Sequence, residues 1–166
     1  ESVIAAVLSF ARGLHASDQL MKAGHWQKVP GKTLFECSMG IIGFGKIGQS
    51  TAKKLNAFGM RIYANDTREI SSEEFNGEYV NFVSKEELLQ KCDFVATCTD
   101  LNSSSAHLMS SKEFTLMKED AIFINMARGP LVDEPTLIEA IKSGQIAGAA
   151  LDVFEDEPLP VESPLR

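Results

Sequence analysis

Three shortages shape the reading of this chain. Cysteine is scarce, with Cys37, Cys92 and Cys98 the only three in 166 residues. An odd number, each in a strand-like apolar run, excludes a disulfide framework and points to reduced thiols in a cytoplasmic setting. Their spacing fits no metal site, so no metal is expected. Positive charge is also short. Sixteen Lys and Arg stand against 23 Asp and Glu, a net charge of −7, which argues against nucleic acid or an anionic membrane as a partner. Finally, no apolar run is long enough to span a bilayer as a helix, and no segment reads as a signal peptide. The 44% hydrophobic content is that of a globular domain with a sizeable core.

Gly43-Phe44-Gly45-Lys46-Ile47-Gly48 is the most informative stretch present. It follows the apolar run Met39-Gly40-Ile41-Ile42 and opens a helical pattern. Asp66 ends the next strand-like run, eighteen residues beyond Gly48. In that context the glycines read as a dinucleotide-binding turn. Gly43 permits the tight turn, Gly45 lets a pyrophosphate approach the backbone, and Gly48 lets helix and strand pack closely. The amides of Lys46 and Ile47 face the phosphates at the positive end of the helix dipole. Asp66 is placed to accept from both hydroxyls of an adenosine ribose and to repel a 2′-phosphate, favouring NAD over NADP. Arg68, two residues on, works against that preference.

Apolar spacing predicts one helix over Ser2–Ala23, closed by Gly24, with a connector through His25, Trp26 and the Pro30-Gly31 turn. Strands are expected at Cys37–Ile42, Met60–Ala64, Val80–Val83, Asp93–Cys98, Ala121–Asn125 and Ile146–Leu151. Helices are expected at Ile47–Phe58, after Ser84 with Glu87 completing a capping box, and over Pro135–Lys142 behind the cap Asp133. Asp156–Pro164 reads as a loop. Alternating strands and helices predict an α/β fold, a doubly wound parallel sheet of Rossmann type covered on both faces. No internal repeat is evident.

Further strings lie in the second half: Asn125-Met126-Ala127-Arg128-Gly129, then Leu131-Val132-Asp133-Glu134, then Ala150-Leu151-Asp152-Val153-Phe154-Glu155-Asp156-Glu157-Pro158. With Gly24-x-Trp26 and the glycine turn, these occur in the order of the NAD-binding domain of the D-isomer-specific 2-hydroxyacid dehydrogenases, which nearly the whole chain resembles. The resemblance implies hydride transfer between NAD(H) and a small 2-hydroxy or 2-oxo acid. Arg128 resembles the arginine that clamps the substrate carboxylate and polarises its carbonyl. Glu157 resembles the glutamate that orients a catalytic histidine. Asp152 resembles the residue that binds the nicotinamide carboxamide, Met126 and Ala127 lie where backbone meets the nicotinamide, and Cys98 and Thr99 lie beneath the ribose. The loop Asp100–Ser105 departs from the family pattern, which has proline after the threonine, and this weakens its expected contribution to the cofactor.

The family's catalytic histidine belongs to a string beyond Glu157-Pro158 that these residues do not contain. His15, His25 and His107 do not match it. The start at Glu1 and the end at Arg166 suggest a piece of a longer protein. All of residues 1–166 then form the NAD-binding domain, with 1–28 as a dimerisation helix and connector, the substrate domain lying elsewhere and the piece alone inactive. The resemblance also implies a homodimer. A non-enzymatic NAD-sensing corepressor and a formate dehydrogenase share the same features and remain open.

Overall fold

The computed structural model describes residues 1–71 and 73–166. Six parallel strands form one sheet: β1 (Ser38–Ile42), β2 (Arg61–Asn65), β3 (Val80–Phe82), β4 (Phe94–Thr97), β5 (Ile122–Asn125) and β6 (Gly148–Leu151). Their order is β3-β2-β1-β4-β5-β6, the doubly wound Rossmann order, whose direction reverses between β1 and β4. All residues of β1, β4 and β5 are buried, as expected of strands with helices on both faces.

Alternation along the strands divides the core. Met39, Ile41, Phe94, Ala96, Ile122 and Ile124 face α1 (Ser2–Arg12) and α3 (Lys46–Asn56). Ile42, Val95 and Phe123 face α4 (Lys85–Lys91), α5 (Ser111–Leu116) and α6 (Glu134–Lys142). The caps behave as their chemistry requires. Ser84 Oγ accepts from Glu87 N at 3.1 Å and Asp133 Oδ1 from Thr136 N at 3.1 Å. The Glu87 carboxylate turns instead to Lys91 at 2.6 Å, so the expected box is only half formed.

Two further expectations need correction. The helix over Ser2–Ala23 is two helices, α1 and α2 (Leu14–Lys22), because Gly13 sits in the left-handed region at φ 59° and ends α1 through Gly13 N to Phe10 O. A side chain at Gly13 would meet Val29 at 2.6 Å, so the connector crosses at the break. Val3, Ala6, Val7 and Ala11 pack on the chain's own sheet, whereas α2 buries nothing. The second correction is α5, which was not expected. It is one short helix opened by Ser110, whose amide and hydroxyl donate to Glu113 Oε2 at 3.1 and 2.6 Å. Elsewhere the boundaries shift by one or two residues, and 156–164 is a loop of bends and turns. No described helix is long and apolar enough to cross a membrane.

Candidate cofactor and active site

Strand register brings the separate strings to one edge of the sheet. Ile42 pairs with Asn65 and with Thr97, Thr97 with Asn125, and Asn125 with Leu151. The residues that leave these strands are therefore side by side at the carboxyl ends: Asp66, Gly43, Cys98 and Thr99, Met126 and Ala127, and Asp152. That edge, next to the point between β1 and β4 where the strand order reverses, is where open α/β sheets hold ligands.

The glycine turn is built for close approach. Gly43 has φ 94°, and a Cβ there would lie 2.7 Å from Thr99 N and 2.8 Å from the Cys98 carbonyl. A Cβ on Gly48 would lie 2.4 Å from Gly43 O. These two glycines are needed by the protein itself. Gly45 differs, because a Cβ there meets nothing within 4 Å, so any pressure for glycine comes from a ligand. Gly45 caps α3 without a side-chain bond, and the first intrahelical bond from this turn is Gln49 N to Gly45 O at 2.9 Å. The Lys46 and Ile47 amides thus stand at the positive end of the helix dipole, with both residues exposed. These features fit a pyrophosphate.

Asp66 is tied into the turn. Its carboxylate accepts from Phe44 N at 2.7 Å, Arg68 N at 2.9 Å and Arg68 Nε at 3.3 Å. Burial pushes this carboxyl up, but the Arg68 and Phe44 amides and the Arg68 guanidinium outweigh it and hold it below the usual carboxylate range. A cleft of about 90 Å³ runs beside it between Gly43, Thr99 and the Asn102–Ser105 loop. That loop is fixed by its own side chains, with Ser105 Oγ donating to Asp100 O at 2.7 Å and Asn102 Oδ1 accepting from Ser104 N at 2.9 Å. Asp100 itself is exposed. Cys98 is half-buried, and burial pushes its thiol up to about 11, so it is inert at neutral pH.

At the other end, Asn125 organises the turn that carries Arg128. It is buried; its Oδ1 accepts from Thr97 Oγ1 at 2.9 Å and Ala127 N at 3.1 Å, and its Nδ2 donates to Arg128 O at 2.8 Å. The exposed Arg128 guanidinium folds back onto Ala127 O at 2.6 Å. Glu157, also exposed, accepts from Phe154 N at 3.0 Å and closes its own loop. Asp152 is exposed at the end of β6, its amide bonded to Asn125 O at 3.1 Å. The Arg128 and Glu157 segments meet where Gly129 abuts the Phe154 carbonyl.

Two features are hard to find from sequence. Asn125 is legible there only as a member of its string. His107, at φ 49°, places Nε2 3.2 Å from Glu155 Oε1, and Glu155 N donates to Glu134 Oε1 at 2.6 Å. This chain of contacts fastens the Glu155 loop to the start of α6. Among the described residues no group of three His, Cys, Asp or Glu could hold a metal ion.

Comparison with known proteins agrees with this geometry. Residues 4–166 match the family described as D-isomer specific 2-hydroxyacid dehydrogenase, NAD binding domain. The chain is 42% identical to glyoxylate/hydroxypyruvate reductase B of Enterobacter sp. (strain 638), over 99% of this chain and 52% of that protein. A D-isomer specific 2-hydroxyacid dehydrogenase from Xanthobacter autotrophicus Py2, solved with NADPH and MES, superposes with a TM-score of 0.90 at 33% identity, covering 99% of this chain and 52% of that one. D-lactate dehydrogenase from Lactobacillus jensenii, solved with NAD+, gives 0.85 at 29% identity, covering 92% and 46%. The chain spans about half the length of the curated relatives it matches.

Proposed function

Because the chain belongs to the D-isomer specific 2-hydroxyacid dehydrogenase family through its NAD-binding domain, we propose that it is the cofactor-holding half of an enzyme. That enzyme transfers a hydride between NAD(H) and a small D-2-hydroxy acid or its 2-oxo acid. The observation that carries this reading is the row of strand ends from Asp66 to Asp152, with the segments that carry Arg128 and Glu157 meeting at the Gly129–Phe154 contact.

When bound, the nicotinamide supplies or accepts the hydride. The protein groups do the rest. Gly43, Gly45 and Gly48 with the Lys46 and Ile47 amides seat the pyrophosphate. Asp66 takes the ribose hydroxyls above Cys98 and Thr99, and its charge favours NAD over NADP. Met126, Ala127 and Asp152 hold the nicotinamide end. Arg128 leaves its contact with Ala127 O, grips the substrate carboxylate as a fork and stabilises the developing alkoxide. Glu157 orients a histidine that moves the proton at the carbonyl oxygen. We place that histidine, and the domain that selects the substrate, outside these 166 residues.

We also assign the face of residues 1–28 to a homodimer. Phe10, Leu14, Met21 and Trp26 are exposed there, Trp26 at 91%, and clustered exposed apolar side chains mark interaction surfaces. The three free thiols support a reducing, cytoplasmic location.

Mixing the intact protein with NADH and a panel of 2-oxo acids, glyoxylate, hydroxypyruvate and pyruvate among them, tests the main reading. NADH is expected to be oxidised with at least one acid. No oxidation with any of them would refute the enzyme reading and favour a cofactor sensor. Light scattering at high concentration tests the dimer, and a clean monomer would refute it.

A further inference from the structure

We propose that Glu74 is a specificity-determining residue of the cofactor site. It holds the Arg68 guanidinium away from the ribose 2′ position and so disfavours NADPH. The inference rests on the reading of Asp66 as the acid that binds the adenosine ribose.

A carboxylate offers about four lone-pair sites. At Asp66 three are in use: Oδ2 accepts from Phe44 N, and Oδ1 accepts from both Arg68 N and Arg68 Nε. About one site, on Oδ2, is left for a ribose hydroxyl. Binding both hydroxyls needs another. Phe44 N and Arg68 N belong to the main chain of the turn, so the Arg68 side chain is the group that can yield. Seating NAD on Asp66 therefore sends the guanidinium elsewhere.

Where it goes decides which cofactor fits. Released beside the ribose, a guanidinium is a ready fork for a 2′-phosphate. Arg68 Nη2, however, already lies 3.5 Å from Glu74 Oε1. Glu74 is itself anchored. Its amide donates to Ser71 Oγ at 3.2 Å, and its Oε1 accepts from Gln49 Nε2 at 3.1 Å. The same Gln49 nitrogen donates to Phe44 O at 3.1 Å, inside the glycine turn. Glu74 thus occupies a fixed place relative to the pyrophosphate seat. It offers Arg68 a second carboxylate when the first is taken by the ribose. From sequence alone Arg68 opposes the NAD preference of Asp66; paired with Glu74, it does not.

Both partners of the pair are partly exposed, Arg68 at 56% and Glu74 at 37% of their side chains, so the effect is a few-fold one. The test is titration of the intact protein with NADH and NADPH, followed by nicotinamide fluorescence, for the wild type, Glu74→Gln and Glu74→Gln with Arg68→Ala. Glutamine keeps an acceptor for Gln49 and removes the charge. Glu74→Gln is expected to tighten NADPH about fivefold and to move NADH by less than about twofold. Adding Arg68→Ala should remove the gain. Equal changes for both dinucleotides would mean that Glu74 only steadies the glycine turn, and would overturn the proposal. A gain that survives Arg68→Ala would overturn it too. A wild-type chain that binds NADH while Glu74→Gln fails in either way sinks this inference alone. A wild-type chain that binds neither dinucleotide overturns the NAD-site reading and this inference with it.

Discussion

A methyl group built on Gly129 would lie 1.9 Å from the carbonyl oxygen of Phe154. Main chain therefore touches main chain between the segment that carries Arg128 and the segment that carries Glu157. Phe154 serves both sides, since its amide also donates to Glu157 Oε1 at 3.0 Å. Gly129→Ala must push these loops apart, and no flexible side chain can absorb the change. The expected loss of stability is about 3 kcal/mol, read as a fall in the urea midpoint. A variant as stable as the wild type would mean that the contact is readily relaxed.

The glycine turn separates what the fold needs from what a ligand needs. Gly43→Ala forces φ 94° on a residue with a Cβ and meets Thr99 N at 2.7 Å. It should lower stability by about 3 kcal/mol. Gly45→Ala meets nothing in the protein within 4 Å, so its stability should stay within about 1 kcal/mol of wild type. Its NADH affinity should nonetheless fall roughly tenfold or more, because the methyl group occupies the path of the pyrophosphate. Unchanged NADH binding by a folded Gly45→Ala chain would remove the turn from the cofactor site.

At the opposite edge of the sheet, Asp93 joins the starts of three strands. It accepts from Ser38 N and Ser38 Oγ, both at 2.7 Å, and pairs with Lys118. Burial pushes its carboxyl up, but the Lys118 ammonium and the two Ser38 donors outweigh that and hold it below its ordinary value. A depressed carboxyl stabilises the fold fully above its unfolded pKa, about 3.9, and that stability is lost as pH falls through the lower folded value. Asp93→Asn should therefore lower stability by about 2 kcal/mol at neutral pH and by less below about pH 4. A constant gap between variant and wild type across pH would contradict this.

What is legible from sequence is what neighbouring residues decide. Gly43, Gly48 and Asp66 lie within two strands and one helix, so spacing alone places them. The break at Gly13 is hidden because the apolar period runs on through Leu14. The short α5 offers one turn and a half, too little for a period to show. The pairing of Thr97 with Asn125 needs the register of β4 against β5. The link from Gln49 to Glu74 depends on where the segment after β2 folds back. In these last two the partner is distant along the chain, and only packing brings it near.

Asn125 invites a test in which pH reverses the ranking of two variants. Asn125→Ala leaves the Thr97 hydroxyl, the Ala127 amide and the Arg128 carbonyl without their shared partner, at a cost of about 2–3 kcal/mol. Asn125→Asp keeps an acceptor for Thr97 and Ala127 but sets a buried carboxylate against the Arg128 carbonyl. Protonated, the new acid can donate to that carbonyl; ionised, it cannot. Its folded pKa must therefore be raised, so its stabilising contribution is complete below about pH 4 and fades as pH rises towards the folded value. Measured by urea unfolding, Asn125→Asp should be the more stable of the two at pH below about 4 and the less stable at neutral pH. If Asn125→Asp is the better variant at both, the donor to Arg128 is not what this position supplies.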